Sequence, residues 1–332
     1  MNTQSQRIRL ALAVAVSTVV CIGALPGAAL AQAYPAKPVR IVLPIAPGGL
    51  QDQLARGIAN ELSKLWGQPV IVENRPSAGG IASVENVARS AADGYSIMEI
   101  DNFSLVTNQL LRKNLPYNLD RDFTPVIVLV AAKNIVVASN DLPAKNIQEL
   151  MVLARAKPGA LNYGSFGIGS IAHIDMEAIA ALAGVTFTHI PYKGGAPLMQ
   201  AVMTNEVSFA LAGMTAAIPL IRQGRIKALA YGGLQHSTVF PDLPTLSESG
   251  LKGFESAAWF GWWVPAGTPQ TIVGKIYTDT AKVLATAEFQ EKFVFGAGHE
   301  PSSLPGTKIA ELLKENIVTV AARIKSLNLT LE

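Results

Sequence analysis

Two hydrophobic rhythms alternate along this chain. Val39, Ile41, Val42 and Leu43 form a short apolar run that predicts a buried strand, and Leu54, Ile58, Leu62 and Leu65 then mark one helical face up to Trp66-Gly67. Residues 70–73 predict a second strand, 81–91 an alanine-rich helix stopped near Asp93-Gly94, and 95–100 a third strand. Such βα alternation implies parallel pairing with crossover helices.

Between 126 and 139 the chain stays apolar and β-branched for longer than one ordinary strand, which suits a segment crossing from one lobe to another. The alternation then restarts with a helix at 147–156, a strand at 161–163, a helix at 171–183 ending at Gly184, and a strand at 187–192. Strands at 207–212 and 226–231 flank a helix around 216–222. Residues 253–264, with Trp259, Phe260, Trp262 and Trp263, are expected to cross back, and helices near 269–285 and 307–326 to close the first lobe. Thr268-Pro269 is a fitting start for the first of these, since threonine can cap and proline is tolerated in the first turn. Lobe one is thus expected from 34–133 and 257–332, lobe two from 134–256.

The first 31 residues read as a secretory signal, with Arg7 and Arg9, an apolar run from Leu10 to Leu25, and Ala29-Leu30-Ala31 before Gln32. A periplasmic location is therefore expected. No later stretch approaches the roughly 20 apolar residues of a membrane helix. Cys21, the sole cysteine, lies in this signal, so the processed chain has no disulfide, thiolate metal site or cysteine nucleophile. The formal charge of +3 includes Arg7 and Arg9, leaving +1 after processing, without the basic patch that nucleic acid demands.

Two glycine loops carry the candidate chemistry. Pro47, Gly48 and Gly49 lie between the first strand and first helix, with Asp52 in that helix's first turn. Ser165, Gly167, Gly169, Ser170 and His173 occupy the equivalent place midway along the chain. A helix start leaves backbone N–H groups unpaired and partly positive, and glycine lets an anion approach them closely. The plain alternative is a pair of turns whose glycines only permit positive φ. Two such loops in two lobes favour a shared ligand, because open α/β folds bind beyond the carboxyl ends of their strands.

Neither loop is a nucleotide motif, since the second lacks a phosphate-loop lysine and has the wrong glycine spacing for a dinucleotide. No cofactor is expected. Ser165, Ser170, His173 and Asp175 crowd within 11 residues, and no Gly-x-Ser-x-Gly elbow is present, so a hydrolase is disfavoured. His173, His189, His236 and His299 are dispersed without metal-ligand spacing, so no metal site is expected; only His173 has a location suggesting more than a structural role. Of the aromatic cluster, at least two members are expected in the core and Phe260 or its neighbours at the cleft.

At this resolution of motifs the chain resembles a known family. Pro44-x-x-Pro47-Gly48-Gly49-x-x-Asp52-x-x-Ala55-Arg56, Glu73-Asn74-Arg75-Pro76-x-Ala78-Gly79-Gly80, Ala92-Asp93-Gly94-Tyr95, Tyr163-Gly164-Ser165 with His173, Ile190-Pro191-Tyr192-Lys193-Gly194 and Pro241-Asp242-x-Pro244-Thr245 are similar to the Bug family of extracytoplasmic solute receptors of tripartite tricarboxylate transporters. The resemblance runs from Tyr34 to the C-terminus. It implies an α/β, two-lobed type II periplasmic-binding-protein fold with an interlobe cleft and hinge. It also implies a non-enzymatic receptor, expected as a monomer, that captures a small carboxylate and delivers it to membrane permease subunits. The two loops would hold a carboxylate, and segments 100–104, 192–194, 212–215 and 259–260 would set specificity, which brings Asn102, Tyr192, Gly213 and Phe260 into the candidate site. Asp52 would orient waters or its own loop, because an ionised carboxylate repels an anion.

The chain departs from the family pattern at Ile81-Ala82-Ser83 and in the stretch from Val207 to Met214, which reads Ser208-Phe209-Ala210-Leu211-Ala212-Gly213-Met214 without the acidic or amide residue usual there. These departures point to a ligand with one carboxylate and an apolar or aromatic body. A periplasmic sensor using the same closure is the runner-up expectation.

Overall fold

The computed structural model describes residues 34–327. The expected export signal, with Arg7, Arg9, Cys21 and its cleavage site, lies outside the described residues. β1 (Val39–Leu43) is followed by α1 (Leu50–Trp66), which buries Leu54, Ala55, Ile58, Ala59 and Leu62 and stops at Gly67 with φ 64°. Leu65, expected on that face, is 53% exposed. At 1.5 Å per residue α1 is about 25 Å long against about 17 Å for β1, so its last turn outruns the strand beneath it.

β2 (Val70–Asn74), α2 (Ile81–Ala88) and β3 (Ser96–Asp101) follow. α2 ends three residues earlier than expected, because Ser90 Oγ accepts from Arg40 Nη2 at 2.9 Å and its N–H closes back on Val87 O. α3 (Asn102–Leu111), not expected from the apolar spacing, starts where Asp101 accepts from Ser104 N–H at 2.8 Å and Ser104 Oγ at 2.7 Å. β4 (Phe123–Ala138) is one strand of 16 residues. Then come α4 (Ile147–Ala156), β5 (Asn162–Ser165), α5 (Ile171–Ala183), β6 (Thr188–Pro191), a second missed helix α6 (Gly195–Met203), β7 (Phe209–Gly213), α7 (Met214–Arg222) and β8 (Lys227–Tyr231). β9 (Ala257–Pro265), α8 (Gln270–Leu284), β10 (His299–Pro301) and α9 (Ile309–Leu327) complete the order. Thr268 does not cap α8; its hydroxyl donates back to Pro265 O at 2.7 Å.

Pairing is parallel within β2-β1-β3 and within β6-β5-β7, as βα alternation requires. β4 and β9 are antiparallel to their neighbours instead, because they pass between the two groups rather than repeating a βα unit. β4 pairs with β9 over its first part, from Phe123 to Lys133, and with β7 and β8 from Asn134 to Ala138. One strand therefore belongs to both sheets.

This topology fixes which strand ends meet. β3 is antiparallel to β9 and β9 to β4, so β1 and β3 run with β4 towards the second sheet. β7 is antiparallel to β4, so β5, β6 and β7 run back towards the first. The carboxyl ends of both parallel groups thus converge on one stretch of β4. Asp101 at the end of β3 is in register with Phe260, which is in register with Val130, while Gly213 at the end of β7 is in register with Asn134. Four residues of strand separate these registers, or about 13 Å.

Val42, Met98, Ile100, Trp259 and Trp263 pack in one core, and Val136, Tyr163, Phe209, Leu211 and Leu229 in another. α9 contributes Val320 and Ile324 to a third cluster that joins Phe103 and Val106 of α3 to Ile174 of α5.

Candidate ligand-binding site

The first loop is exposed at Pro47, Gly48 and Gly49 and leads into α1, whose N-cap Gly49 has no capping side chain. Gly48 has φ +99°, a conformation L side chains rarely adopt, with open space where a Cβ would stand. Asp52 is buried and builds this turn from inside. Its carboxylate accepts from Gly48 N–H at 3.0 Å, Arg56 Nε at 3.0 Å and Asn74 Nδ2 at 2.9 Å. Burial alone would raise this carboxyl, but the bonds from Arg56, Gly48 and Asn74 together hold it below its ordinary value. The Gly48 N–H is therefore committed to Asp52, and the donors left at this helix start are the N–H groups of its first turn.

The second loop is organised by side chains that the sequence reading expected to face a ligand. Ser165 is fully buried; its Oγ accepts from Gly167 N–H at 3.0 Å and lies 2.7 Å from His189 Nε2. Ser170 Oγ donates to Gly167 O at 2.7 Å and accepts from His173 N–H as the cap of α5. Both hydroxyls are spent on the loop itself. Gly167 and Gly169 take φ +125° and +79°. His173 Nδ1 accepts from Gly169 N–H at 3.1 Å, so a neutral His173 carries its proton on Nε2 and keeps that N–H as a donor. Burial lowers the His173 imidazolium pKa against the opposing pull of Glu177, and burial with the neighbouring His173 lowers that of His189 to about 4. The pair stays neutral near pH 7.

The remaining candidates differ in what they offer. Asn102 is buried with both ends of its amide used: Oδ1 accepts from Trp259 N–H at 2.8 Å and Nδ2 donates to Asn316 Oδ1 at 2.8 Å. Tyr192 turns its hydroxyl to Glu206 at 2.7 Å and braces the second loop through its N–H, which donates to Ser165 O at 3.0 Å. Gly213 is the N-cap of α7, again without a capping side chain. Phe260 is half-buried, whereas Trp259, Trp262 and Trp263 are buried, so three of the four aromatics are core. Asp175, once a conceivable triad partner for Ser165, is fully buried against Arg323 and Ser256 Oγ.

His189 and Asn74 were not among the expected site residues, yet each holds one loop. Asn74 stands within the family motif that begins at Glu73, and His189 directly before the one that begins at Ile190. What the two converging edges present is donor-rich: first-turn amides of α1, α5 and α7 and the His173 Nε2–H. Such an array suits an oxygen-rich anion. Among the described residues no group of His, Cys, Asp or Glu is arranged to hold a metal ion.

Residues 54–329 match the family described as tripartite tricarboxylate transporter family receptor. The chain belongs to this family. It is 36% identical over 271 residues to a UPF0065 protein of Bordetella pertussis, covering 82% of this chain and 83% of that one. Among solved structures, a protein of R. palustris with adipate superposes with TM-score 0.85 at 30% identity, over 90% of this chain and 99% of the other. MatC of Rhodopseudomonas palustris with bound malate gives 0.81 at 29% identity, over 88% and 100%. These likenesses establish the α/β fold of periplasmic binding proteins, as the sequence motifs implied, and make the chain a receptor rather than an enzyme. No helix among the described residues is long and apolar enough to cross a membrane.

Proposed function

We propose that this protein is a periplasmic receptor, acting as a monomer, that captures a small carboxylate and delivers it to the permease subunits of a tripartite transporter. The observations carrying this reading are the uncapped helix starts of α1 and α7 and a neutral histidine donor on α5, each following the carboxyl end of a strand, in a chain of the receptor family. The lobes would divide near residues 133 and 257, where β4 and β9 cross, and closing them would bring the Pro47–Asp52 and Ser165–His173 loops onto one ligand.

The donor set consists of backbone amides and one neutral imidazole N–H, with no lysine or arginine among its members, which suits one carboxylate better than several. The run Ala210 to Met214 is apolar and mostly buried, and Ile168 is exposed at the tip of the second loop. We therefore favour a carboxylate with an apolar body. Thermal unfolding of the protein from residue 32 onward against adipate, malate, citrate, hexanoate and benzoate tests this. A ligand at about 100 times its Kd stabilises by roughly 2.7 kcal/mol. A shift with hexanoate or benzoate supports the full reading, a shift with citrate alone rejects the apolar body, and a flat response from ligand-free protein rejects carboxylate capture.

A further inference from the structure

We propose that His189 is a positioning residue for ligand binding, the centre of a stacked column that sets both glycines of the second loop; this rests on the reading that this loop holds the ligand. His189 is in register with Tyr163 on the neighbouring strand, and the two rings stack at 4.9 Å and 24°. Its other face lies on His173 of α5, with centroids 4.1 Å apart and planes 15° off parallel. The column thus ties β5, β6 and α5 together directly beneath residues 165–170.

Each imidazole governs one glycine. His189 Nε2 meets Ser165 Oγ at 2.7 Å, and that oxygen accepts from Gly167 N–H at 3.0 Å. His173 Nδ1 accepts from Gly169 N–H at 3.1 Å. The two loop amides with positive φ are therefore held inward, and the His173 Nε2–H is the polar atom the column leaves for a ligand. A core-filling histidine would need only the stack. The hydrogen bond from His189 to the loop is what a positioning role adds.

The column works only as a neutral pair. Protonating His173 would set an Nδ1–H against the Gly169 N–H, two donors facing each other, and would charge a ring stacked on its twin. Glu177, on α5, is the charged group acting on the pair; its Oε1 accepts from Tyr163 OH at 2.7 Å, while β5 and β6 bring only Tyr163, Ser165 and His189 itself. Anion binding by this site is therefore expected to come from a fixed neutral donor, with affinity flat between pH 8 and pH 7.

The test uses His189→Phe, which keeps an aromatic ring in the stack and removes the bond to Ser165. In unliganded protein, amide exchange at Gly167 is expected to accelerate at least ten-fold, with 15N spectra showing His173 still protonated at Nε2. Affinity for whichever of adipate, malate, hexanoate or benzoate binds the wild type is expected to fall ten-fold or more. Should His189→Phe fail to fold, His189→Leu, an apolar side chain between Tyr163 and His173 without a hydrogen-bonding atom, removes the same link and leaves Ser165 in place, and is expected to give the same Gly167 acceleration. Unchanged Gly167 exchange in either folded variant overturns the proposal, as does wild-type affinity that rises from pH 8 to pH 7, the mark of a cationic histidine. If no carboxylate binds the wild type, the ligand reading fails separately, and the exchange data still decide whether His189 sets the loop.

Discussion

Arg323 in the last helix donates to the carboxylate of Asp175, 148 residues earlier, in the helix that follows the second glycine loop. The other Asp175 oxygen accepts from Ser256 Oγ at 2.6 Å, Arg323 Nη2 donates to Glu255 O at 2.7 Å, and the guanidinium lies 4.6 Å from the Phe254 ring centroid. α9 therefore ties α5 to the return crossing of the chain, beside Asn134, whose Nδ2 donates to Ser256 Oγ at 2.9 Å.

Removing Arg323 would strand a fully buried carboxylate, and burial already pushes Asp175 up to about 6 with the arginine present. Arg323→Met is expected to cost about 3–5 kcal/mol by chemical denaturation at pH 7. Adding Asp175→Asn should recover part of that loss, because the uncompensated charge is gone. A cost below about 1 kcal/mol would mean the pair is solvated in solution.

Gly48→Val should abolish carboxylate binding in calorimetry. Its φ of +99° strains a β-branched residue by on the order of 1–3 kcal/mol, so the turn would shift and its bond to Asp52 would break. Gly49→Ala is the control: φ there is −80°, and the nearest atom to an added Cβ is Ile45 Cδ1 at 3.9 Å. Full affinity in Gly48→Val would remove the first loop from the site.

Glu99 is fully buried, with one oxygen accepting from Trp262 Nε1 at 2.7 Å and the other without a partner. Burial raises it from 4.5 to about 8, so the folded state holds its proton more tightly than the unfolded chain. Its stabilising contribution is thus complete below pH 4.5 and lost as pH rises through 8. Glu99→Gln should abolish that alkaline loss, on the order of 3–5 kcal/mol, in melts from pH 5 to 9. Parallel profiles for variant and wild type would show that Glu99 is ionised throughout.

His299 acts in the opposite direction. Burial lowers it from 6.5 to about 4, and its Nε2 lies 2.7 Å from Thr215 Oγ1, linking β10 to α7. The unfolded chain takes up the proton first, so stability is full above pH 6.5 and declines as pH falls towards 4. Together with His189, this predicts an acid loss of about 2–3 kcal/mol per histidine. His299→Gln should flatten part of the slope of melting temperature between pH 6.5 and 4, and an unaltered slope would assign it elsewhere.

Helix boundaries were the most legible part of the fold. α5 runs from Ile171 to Ala183 and stops at Gly184, as its apolar spacing and terminal glycine predict. The apolar run from 126 to 139, longer than an ordinary strand, belongs to a single strand, Phe123–Ala138, that pairs in both sheets. α3 escaped notice although Asp101-Asn102-Phe103-Ser104 is a capping pattern, because its apolar spacing merges with the strand before it. Leu65 misled because periodicity assigns a face and cannot say where the neighbouring sheet ends.

Composition, period and glycine placement determined the alternation of strand, loop and helix, the family motifs, and the position of both glycine loops at helix starts. These are local properties, set by backbone conformation and by side-chain spacing of 2 or 3.6 residues. Only the tertiary structure decided what each polar group does. Ser165, Ser170, Asn102 and Tyr192 looked like ligand donors along the chain, yet each spends its hydrogen on a neighbour, while His189 and Asn74 hold the loops. A hydrogen bond depends on which atoms folding brings within about 3 Å, and pairs such as Asn74 with Asp52, 22 residues apart, or Asn102 with Asn316, 214 apart, leave no trace in local pattern.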